Sequence, residues 1–189
     1  MSPLLDSITR RDFLKLTGLG LATALGCKPN AAHAASGLLA DQMGRVAVKN
    51  IQLFEKPSFD AVPTKELWKD ITLPITGITV SEDKSAHNRI WYEMGEEGYA
   101  YSGEIQPVQT RLNRVRKTHP KTGSLAEVTV PYTDAREYPN EESKHIYRLY
   151  YETTHWIIET ITDEVEQKLW YKLRDDKWKD QYYYVLAEH

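Results

Sequence analysis

A pattern that occurs twice constrains this chain more than any other feature, because a repeated segment must fold as a repeated unit. Gly44-Arg45-Val46-Ala47-Val48 opens a small apolar run that closes on Glu55-Lys56-Pro57, and Ser124-Leu125-Ala126-Glu127-Val128 opens one that closes on Glu137-Tyr138-Pro139. Lys65-Glu66-Leu67-Trp68-Lys69-Asp70 is then matched by Tyr147-Arg148-Leu149-Tyr150-Tyr151-Glu152. Arg89-Ile90-Trp91-Tyr92-Glu93-Met94 is matched by Lys168-Leu169-Trp170-Tyr171-Lys172-Leu173. The distance from Pro57 to Trp91 exceeds that from Pro139 to Trp170 by three residues, a difference that one loop absorbs.

Each copy reads as β structure. Ile71, Leu73 and Ile75 alternate with Thr72, Pro74 and Thr76, and Ile78 and Val80 extend the β-branched run. Pro74 has no N–H for a ladder, which predicts an edge or a bulge there. Glu96-Glu97-Gly98, between Trp91-Tyr92 and Tyr99-Ala100-Tyr101, predicts a hairpin turn. One stretch conflicts with this pattern. Residues 163–179 are rich in helix formers, with Val165, Leu169 and Leu173 at four-residue spacing. The match of Trp170-Tyr171 to Trp91-Tyr92 decides for a strand over residues 169–174 and a turn at Asp175-Asp176-Lys177. The expected fold is all-β: two tandem small barrels behind an N-terminal signal helix.

The N-terminus carries its own signature. Thr9-Arg10-Arg11-Asp12-Phe13-Leu14-Lys15 resembles the twin-arginine export signal, with Arg10, Arg11, Phe13, Leu14 and Lys15 as its recognition residues. The uncharged stretch beyond it, Leu16 to Gly26, is diluted by Gly18, Gly20 and Gly26 and is too short to span a bilayer, which needs ~20 residues. Two endings are open. Ala32-His33-Ala34 offers a small-x-small cleavage site after Ala34, whereas Ala24-Leu25-Gly26-Cys27 fits a permissive lipoprotein box with lipidation at Cys27. Cys27 is the single cysteine, so no disulfide supports the fold of the mature chain.

About 150 residues then remain, enough for one ordinary domain or two very small ones. A net charge of −3 gives no electrostatic case for nucleic acid. None of the six histidines forms a His-x-x-x-His pair or sits with cysteines at metal spacing. No cofactor is implied. His87 and His119 read as solvated, His155 as a packed or edge residue, and Asp163-Glu164-Glu166 as a charged hairpin loop. Residues 109–123 hold Arg111, Arg114, Arg116, Lys117 and Lys121 and no acidic residue. They read as a solvated linker, the alternative being contact with anionic phosphates of wall polymers or lipid heads. The second copy is loaded with aromatics. Most are expected in the core and the seam between copies, with Tyr138 and Trp178, in the two loop regions, as the ligand face.

The combination resembles the bacterial SH3-like modules of exported cell-wall proteins. More narrowly it is similar to the N-terminal half of twin-arginine-exported L,D-transpeptidases. The pieces that carry this are Gly44-Arg45-Val46, Glu55-Lys56-Pro57-Ser58-Phe59, Ala86-His87-Asn88, Trp91-Tyr92, Gln106-Pro107-Val108-Gln109-Thr110-Arg111-Leu112-Asn113, Leu125-Ala126-Glu127-Val128-Thr129-Val130-Pro131-Tyr132 and Tyr147-Arg148-Leu149-Tyr150-Tyr151-Glu152. The resemblance implies a signal and leader over 1–35, an SH3-like module over 44–109, a basic linker over 110–123, and a second module over 124–189 that lacks its last strand. It implies peptidoglycan or a cell-wall enzyme domain as partner, a location in the envelope or outside the cell, and membrane contact only through a lipid on Cys27. The catalytic domain of that family works through a Ser-x-Gly-Cys-x-Arg cysteine with a histidine base. No cysteine lies beyond Cys27, so no catalytic residue carries over. The expectation is a non-catalytic wall-binding region, or alternatively the front of a transpeptidase.

The export reading is tested directly. Replacing Arg10 and Arg11 together by Lys should leave the precursor in the cytoplasm, because the machinery reads the guanidinium pair. Normal fractionation of that double variant into the envelope or medium would overturn it.

Overall fold

The computed structural model describes residues 42–178 and 180–189; the expected signal helix, Cys27 and Ala34 lie outside them. The described chain is strand and loop, with one 3-10 turn at Ser102–Glu104. The first sheet comprises β1 (Met43–Val46), β2 (Asn50–Phe54), β3 (Pro63–Trp68), β4 (Thr72–Val80), β5 (Ile90–Met94), β6 (Tyr99–Tyr101) and β7 (Ile105–Val108). The second comprises β8 (Ser124–Glu127), β9 (Tyr132–Arg136), β10 (His145–Tyr150), β11 (Thr154–Thr162), β12 (Leu169–Arg174) and β13 (Tyr182–Leu186). All pairings are antiparallel.

The repeat is a repeat of topology. The first sheet runs β3-β2-β6-β5-β4-β1-β7 and the second β10-β9-β13-β12-β11-β8, the same order but for β7. The backbone agrees residue by residue. Asp70 and Glu152 both take positive φ, 70° and 63°. The Asp70 amide donates to the Val46 carbonyl at 3.0 Å, and that of Glu152 to Val128 at 2.9 Å. The Val46 and Val128 amides return to Ile71 and Thr153 at 3.0 and 2.9 Å. Both nine-residue strands, β4 and β11, carry a bulge at the same place, Ile75/Gly77 and Ile157/Glu159. The 163–179 stretch obeys the repeat. Leu169–Arg174 is a strand, because pairing Trp170 to Leu186 and Leu173 to Tyr183 buries both Trp170 and Leu173, which an isolated helix could not do.

The expected barrels are not closed. β3 and β7 bound the first sheet, and β10 and β8 the second. The β2–β3 hairpin joins β6 through a single pair, Phe54 with Tyr99, and the β9–β10 hairpin joins β13 through Tyr184 with Arg136. The β3 edge carries Pro63 and the exposed Lys65 and Glu66, residues that discourage further pairing. Pro74 departs from both expectations. It lies in an interior strand, at the point where β4 stops pairing with β1 (Met43 with Pro74) and starts pairing with β5 (Ile75 with Met94). A missing N–H costs nothing where one side of the strand is unpaired. Tyr151 lies in the turn after β10, so it does not share that strand with Tyr150.

Each sheet folds around its own core. In the first, Val46, Leu53, Ile75, Trp91, Met94 and Val108 are buried, and Phe59 caps Trp91 with ring centroids 4.8 Å apart. Gly44 lets β1 lie on this core, since a Cβ there would sit 2.7 Å from Ile105 and 2.9 Å from Met94. In the second, Val128, Val130, Leu149, Ile157, Tyr171, Leu173, Tyr183 and Val185 form the cluster. Trp91 and Trp170 hold equivalent places, each 2% exposed.

The sheets meet through charge, both belonging to one compact unit, Asp41–His189. Asp70, its side chain 10% exposed, accepts from Arg45 at 2.5 Å and from Arg148 of the second sheet at 2.9 Å. Arg148 also holds Asp134 at 2.8 Å and covers the Tyr132 ring at 4.1 Å. Arg45, itself 5% exposed, covers the Tyr150 ring at 4.2 Å and reaches Gln106. Burial pushes the Asp134 carboxyl up, but Arg148, His145 and Arg136 outweigh it and hold it below its ordinary value.

Removing Asp70 would strand the buried Arg45 charge, at a cost of about 3–5 kcal/mol. Asp70→Ala is therefore expected to lose as much stability in urea unfolding as the buried-ring deletion Trp170→Ala, also about 3–5 kcal/mol. Loss of under about 1 kcal/mol for Asp70→Ala, the range of an exposed pair, would show that the sheets do not depend on it.

Candidate ligand groove on the second sheet

A constellation of polar side chains lies where β10, β11 and β13 meet the β12–β13 loop. A groove of about 220 Å³ is lined there by Tyr147, Arg148, His155, Asp175, Lys177 and Tyr183, among others. Strand alternation supplies its walls. Tyr147 and Leu149 point the same way on β10, and Tyr183 opposes Leu173 on β13. The Tyr147 and Tyr183 rings meet edge to face at 5.4 Å.

Asp175 organises the floor. It is 7% exposed, accepts the Tyr147 hydroxyl at 2.9 Å, and accepts the backbone amides of Lys177 and Trp178 at 2.7 and 3.1 Å. Burial raises its carboxyl, and these donors outweigh it, leaving it below the ordinary value. The bond to Asp175 raises the Tyr147 phenol, and burial, with Asp176 and Asp175 nearby, raises Tyr183 strongly.

The His155 tautomer is set by its neighbours. Thr153 gives its one hydroxyl proton to the Tyr150 carbonyl at 2.6 Å, so at 3.0 Å it must accept from His155 Nε2. Nδ1 is then free to accept the Tyr183 hydroxyl at 3.3 Å. Burial lowers the His155 pKa, opposed by Asp176. At neutral pH the groove thus holds protonated phenols, a neutral imidazole and the ionised Asp175 carboxylate, with Asp176 and Lys177 among its lining. These groups suit hydrogen bonding to a polar peptide. No phenolate or other activated nucleophile is among them.

Trp178, 59% exposed, stands on the loop that Asp175 holds, next to the lining residue Lys177, but does not itself line the groove. Tyr138, 61% exposed, stands on the β9–β10 loop, its amide bonded to Ser143 Oγ at 2.8 Å, and does not line the groove. Of the other aromatics, Trp170, Tyr171 and Tyr183 are buried in the core, Tyr132 and Tyr150 lie in the seam, each under an arginine, Trp156 holds the 109–123 segment, and Tyr182 is exposed. Nothing in the linear sequence groups His155, Tyr147 and Asp175. Their only shared signal is the β10–β11–β13 arrangement, which a scan along the chain does not see.

One expectation is corrected here. His119 is not solvated: its Nε2 meets Thr160 Oγ1 at 2.8 Å and its Nδ1 meets Ser124 Oγ at 3.1 Å, with Tyr171 edge-on at 5.6 Å. Asp163 turns its carboxylate onto the amides of Val165 and Glu166, at 3.3 and 2.8 Å, and so closes the β11–β12 loop. Among the described residues no group of His, Cys, Asp and Glu is arranged to hold a metal ion. A second cavity, of about 30 Å³ beneath Leu149, His155 and His189, has room for no more than a water.

No family model and no curated protein matches the chain. Among solved structures it is similar to "Endolysin LysPBC5 CBD", at 12% identity and a TM-score of 0.27, over 77% of this chain and 93% of that one. A likeness so distant carries no argument about function.

Burial lowers the pKa of His189 as it does that of His155. A histidine with a folded pKa below its unfolded value of about 6.5 leaves the unfolded chain holding more protons as the pH drops. Stability should therefore be full above about pH 6.5 and decline as pH falls below it, before the carboxylates begin to titrate near about pH 4. Melting temperatures measured between about pH 8 and about pH 5 should show this decline, and His155→Gln should flatten it. A flat profile in the parent protein would contradict the half-buried neutral imidazoles.

Proposed function

We propose that the chain is an exported, non-catalytic, cell-wall-associated protein that binds peptidoglycan stem peptides through its second sheet. The observation that carries this reading is the groove around Tyr147, His155, Asp175 and Tyr183, with the exposed Trp178 on its bordering loop. Stem peptides are short and polar, with free carboxylate and amine groups. Lys177 can take a carboxylate and Asp176 an amine, while the rings of Tyr147, His155 and Tyr183, whose protons are already placed within the groove, give it its shape. An exposed ring beside such a cleft adds contact area at little entropic cost.

The motifs that resemble those of exported L,D-transpeptidases and the repeat of one all-β module support the same assignment. The lack of any cysteine after Cys27 supports binding without turnover. The shared motifs also favour a second reading, in which these modules stand in front of a transpeptidase domain and present stems to it. A reading frame that continues downstream of His189 into a Ser-x-Gly-Cys-x-Arg motif would establish that version.

The test is co-sedimentation with insoluble peptidoglycan. The parent chain should bind, and should show no transpeptidase turnover on tetrapeptide stems. Trp178→Ala and Tyr183→Phe should each lower the bound fraction several-fold, and Tyr138→Ala should do so if its loop reaches the ligand, with the melting temperature of Trp178→Ala nearly unchanged. Equal retention of Trp178→Ala, Tyr183→Phe and parent would remove the groove from consideration.

A further inference from the structure

The segment between the sheets, residues 109–123, is held in place at many points. The Arg111 amide donates to the Thr129 carbonyl at 2.9 Å, and that of Asn113 to Glu188 at 2.7 Å. The Arg116 amide donates to the Tyr171 hydroxyl at 2.8 Å, and the Arg116 carbonyl accepts from Thr160 Oγ1 at 2.7 Å. Because Thr160 gives its proton to Arg116, His119 Nε2 must be the donor in the 2.8 Å bond between His119 and Thr160. Val115 packs on the second core, and Trp156 Nε1 donates to the Thr122 carbonyl at 2.6 Å. The expected solvated linker is thus a strap, fixed through its backbone and through Val115.

Its charges are not used in that fixation. Arg111, Arg114, Arg116, Lys117 and Lys121 are all exposed, and among the described residues none of them makes a salt bridge or donates a side-chain hydrogen bond. Elsewhere on the second sheet Arg136, Arg148 and Lys168 each face a carboxylate. A row of unneutralised cations on a chain held still has already lost its backbone entropy, so an anionic partner need not order it.

We infer that the strap is a docking surface for a linear phosphodiester polymer of the cell envelope. The cations are spread along the strap, at positions 111, 114, 116, 117 and 121, with Arg114 and Arg116 lining one cleft. From Arg111 to Lys121 an extended chain spans at most roughly 33 Å, which matches several phosphates in series better than one small anion. A lipid surface fits less well, since within the strap only Leu112 is a large exposed apolar side chain, short of the apolar face a membrane-lying segment needs. The surface is separate from the peptide groove. It relies on the envelope location only for the choice of polymer.

The test uses the full chain and measures binding to a glycerol-phosphate polymer by titration from about 20 to about 200 mM salt. Release of condensed counterions should make log K fall with log salt at a slope of about −0.7 per phosphate contacted, or about −3.5 for the five cations of the strap. Arg114→Gln with Arg116→Gln should shallow the slope by about 1.4 and weaken binding at low salt at least roughly tenfold. Lys49→Gln, exposed on the first sheet, should change neither, and Tyr183→Phe should leave polymer binding intact even if it abolishes peptidoglycan binding. No binding at the low-salt end, an unchanged slope in the double variant, preference for phosphatidylglycerol vesicles, or tighter binding of single-stranded DNA would each overturn the assignment.

Discussion

Asp70 is tied twice, and the arrangement of the two sheets depends on both ties. Its backbone, at a φ of 70°, turns the chain from β3 into β4 and returns its amide to Val46. Its carboxylate then accepts from Arg45 behind it and Arg148 across the seam. A carboxylate this buried is costly alone, and so is a buried guanidinium such as Arg45. Together, with Tyr150 and Tyr132 beneath the arginines and Gln106 and Asp134 filling remaining donor sites, the desolvation is offset. The network is also directional. Planar, hydrogen-bonded groups fix one register of sheet on sheet, where an apolar seam would tolerate several.

The equivalent place in the second copy shows what the network is for. Glu152 repeats the turn of Asp70, yet it is exposed, and Glu127 stands where Arg45 stands in the first copy. The backbone turn is therefore a property of the module, and the ion pair a property of the seam. No ion pair across a seam forms at Glu127 or Glu152 among the described residues; Glu127 instead lines a cleft beside Asn113, Arg114 and Arg116 of the strap.

Much of this was legible in the sequence. The Trp91 and Trp170 matches located β5 and β12, and they overruled the helical spacing of residues 163–179 correctly, because a tryptophan that must be buried in both copies carries more information than local periodicity. What could not be read was whatever depends on long-range pairing. Arg45 and Asp70 are 25 residues apart, and Asp70 and Arg148 are 78. His119 looked like a linker residue because its partner Thr160 is 41 positions away. Barrel closure failed for the same kind of reason. The strands were legible, but the single-pair attachment of each long hairpin was not.

The two copies also separate what the fold requires from what it does not. Where the second has His155, Tyr147 and Tyr183, the first has Leu73, Lys65 and Gly98 at the matching ladder positions. Gly98 could not be exchanged for a tyrosine in the first copy, since even a Cβ there would lie 2.6 Å from the Phe54 carbonyl, and its φ is 126°. The second copy instead lengthens the corresponding hairpin from residues 95–98 to residues 175–181, which frees the Tyr183 position and brings in Asp175 to cap the loop. The groove thus arises from a loop insertion and from ladder substitutions that no strand pairing demands. The burial of Asp175 and the opposed shifts of His155 and Tyr183 are costs carried by one copy alone. A module that needed only to fold could have kept the plainer solution of the first sheet, so the divergence of the second is the strongest structural argument that its polar groove is there to hold something.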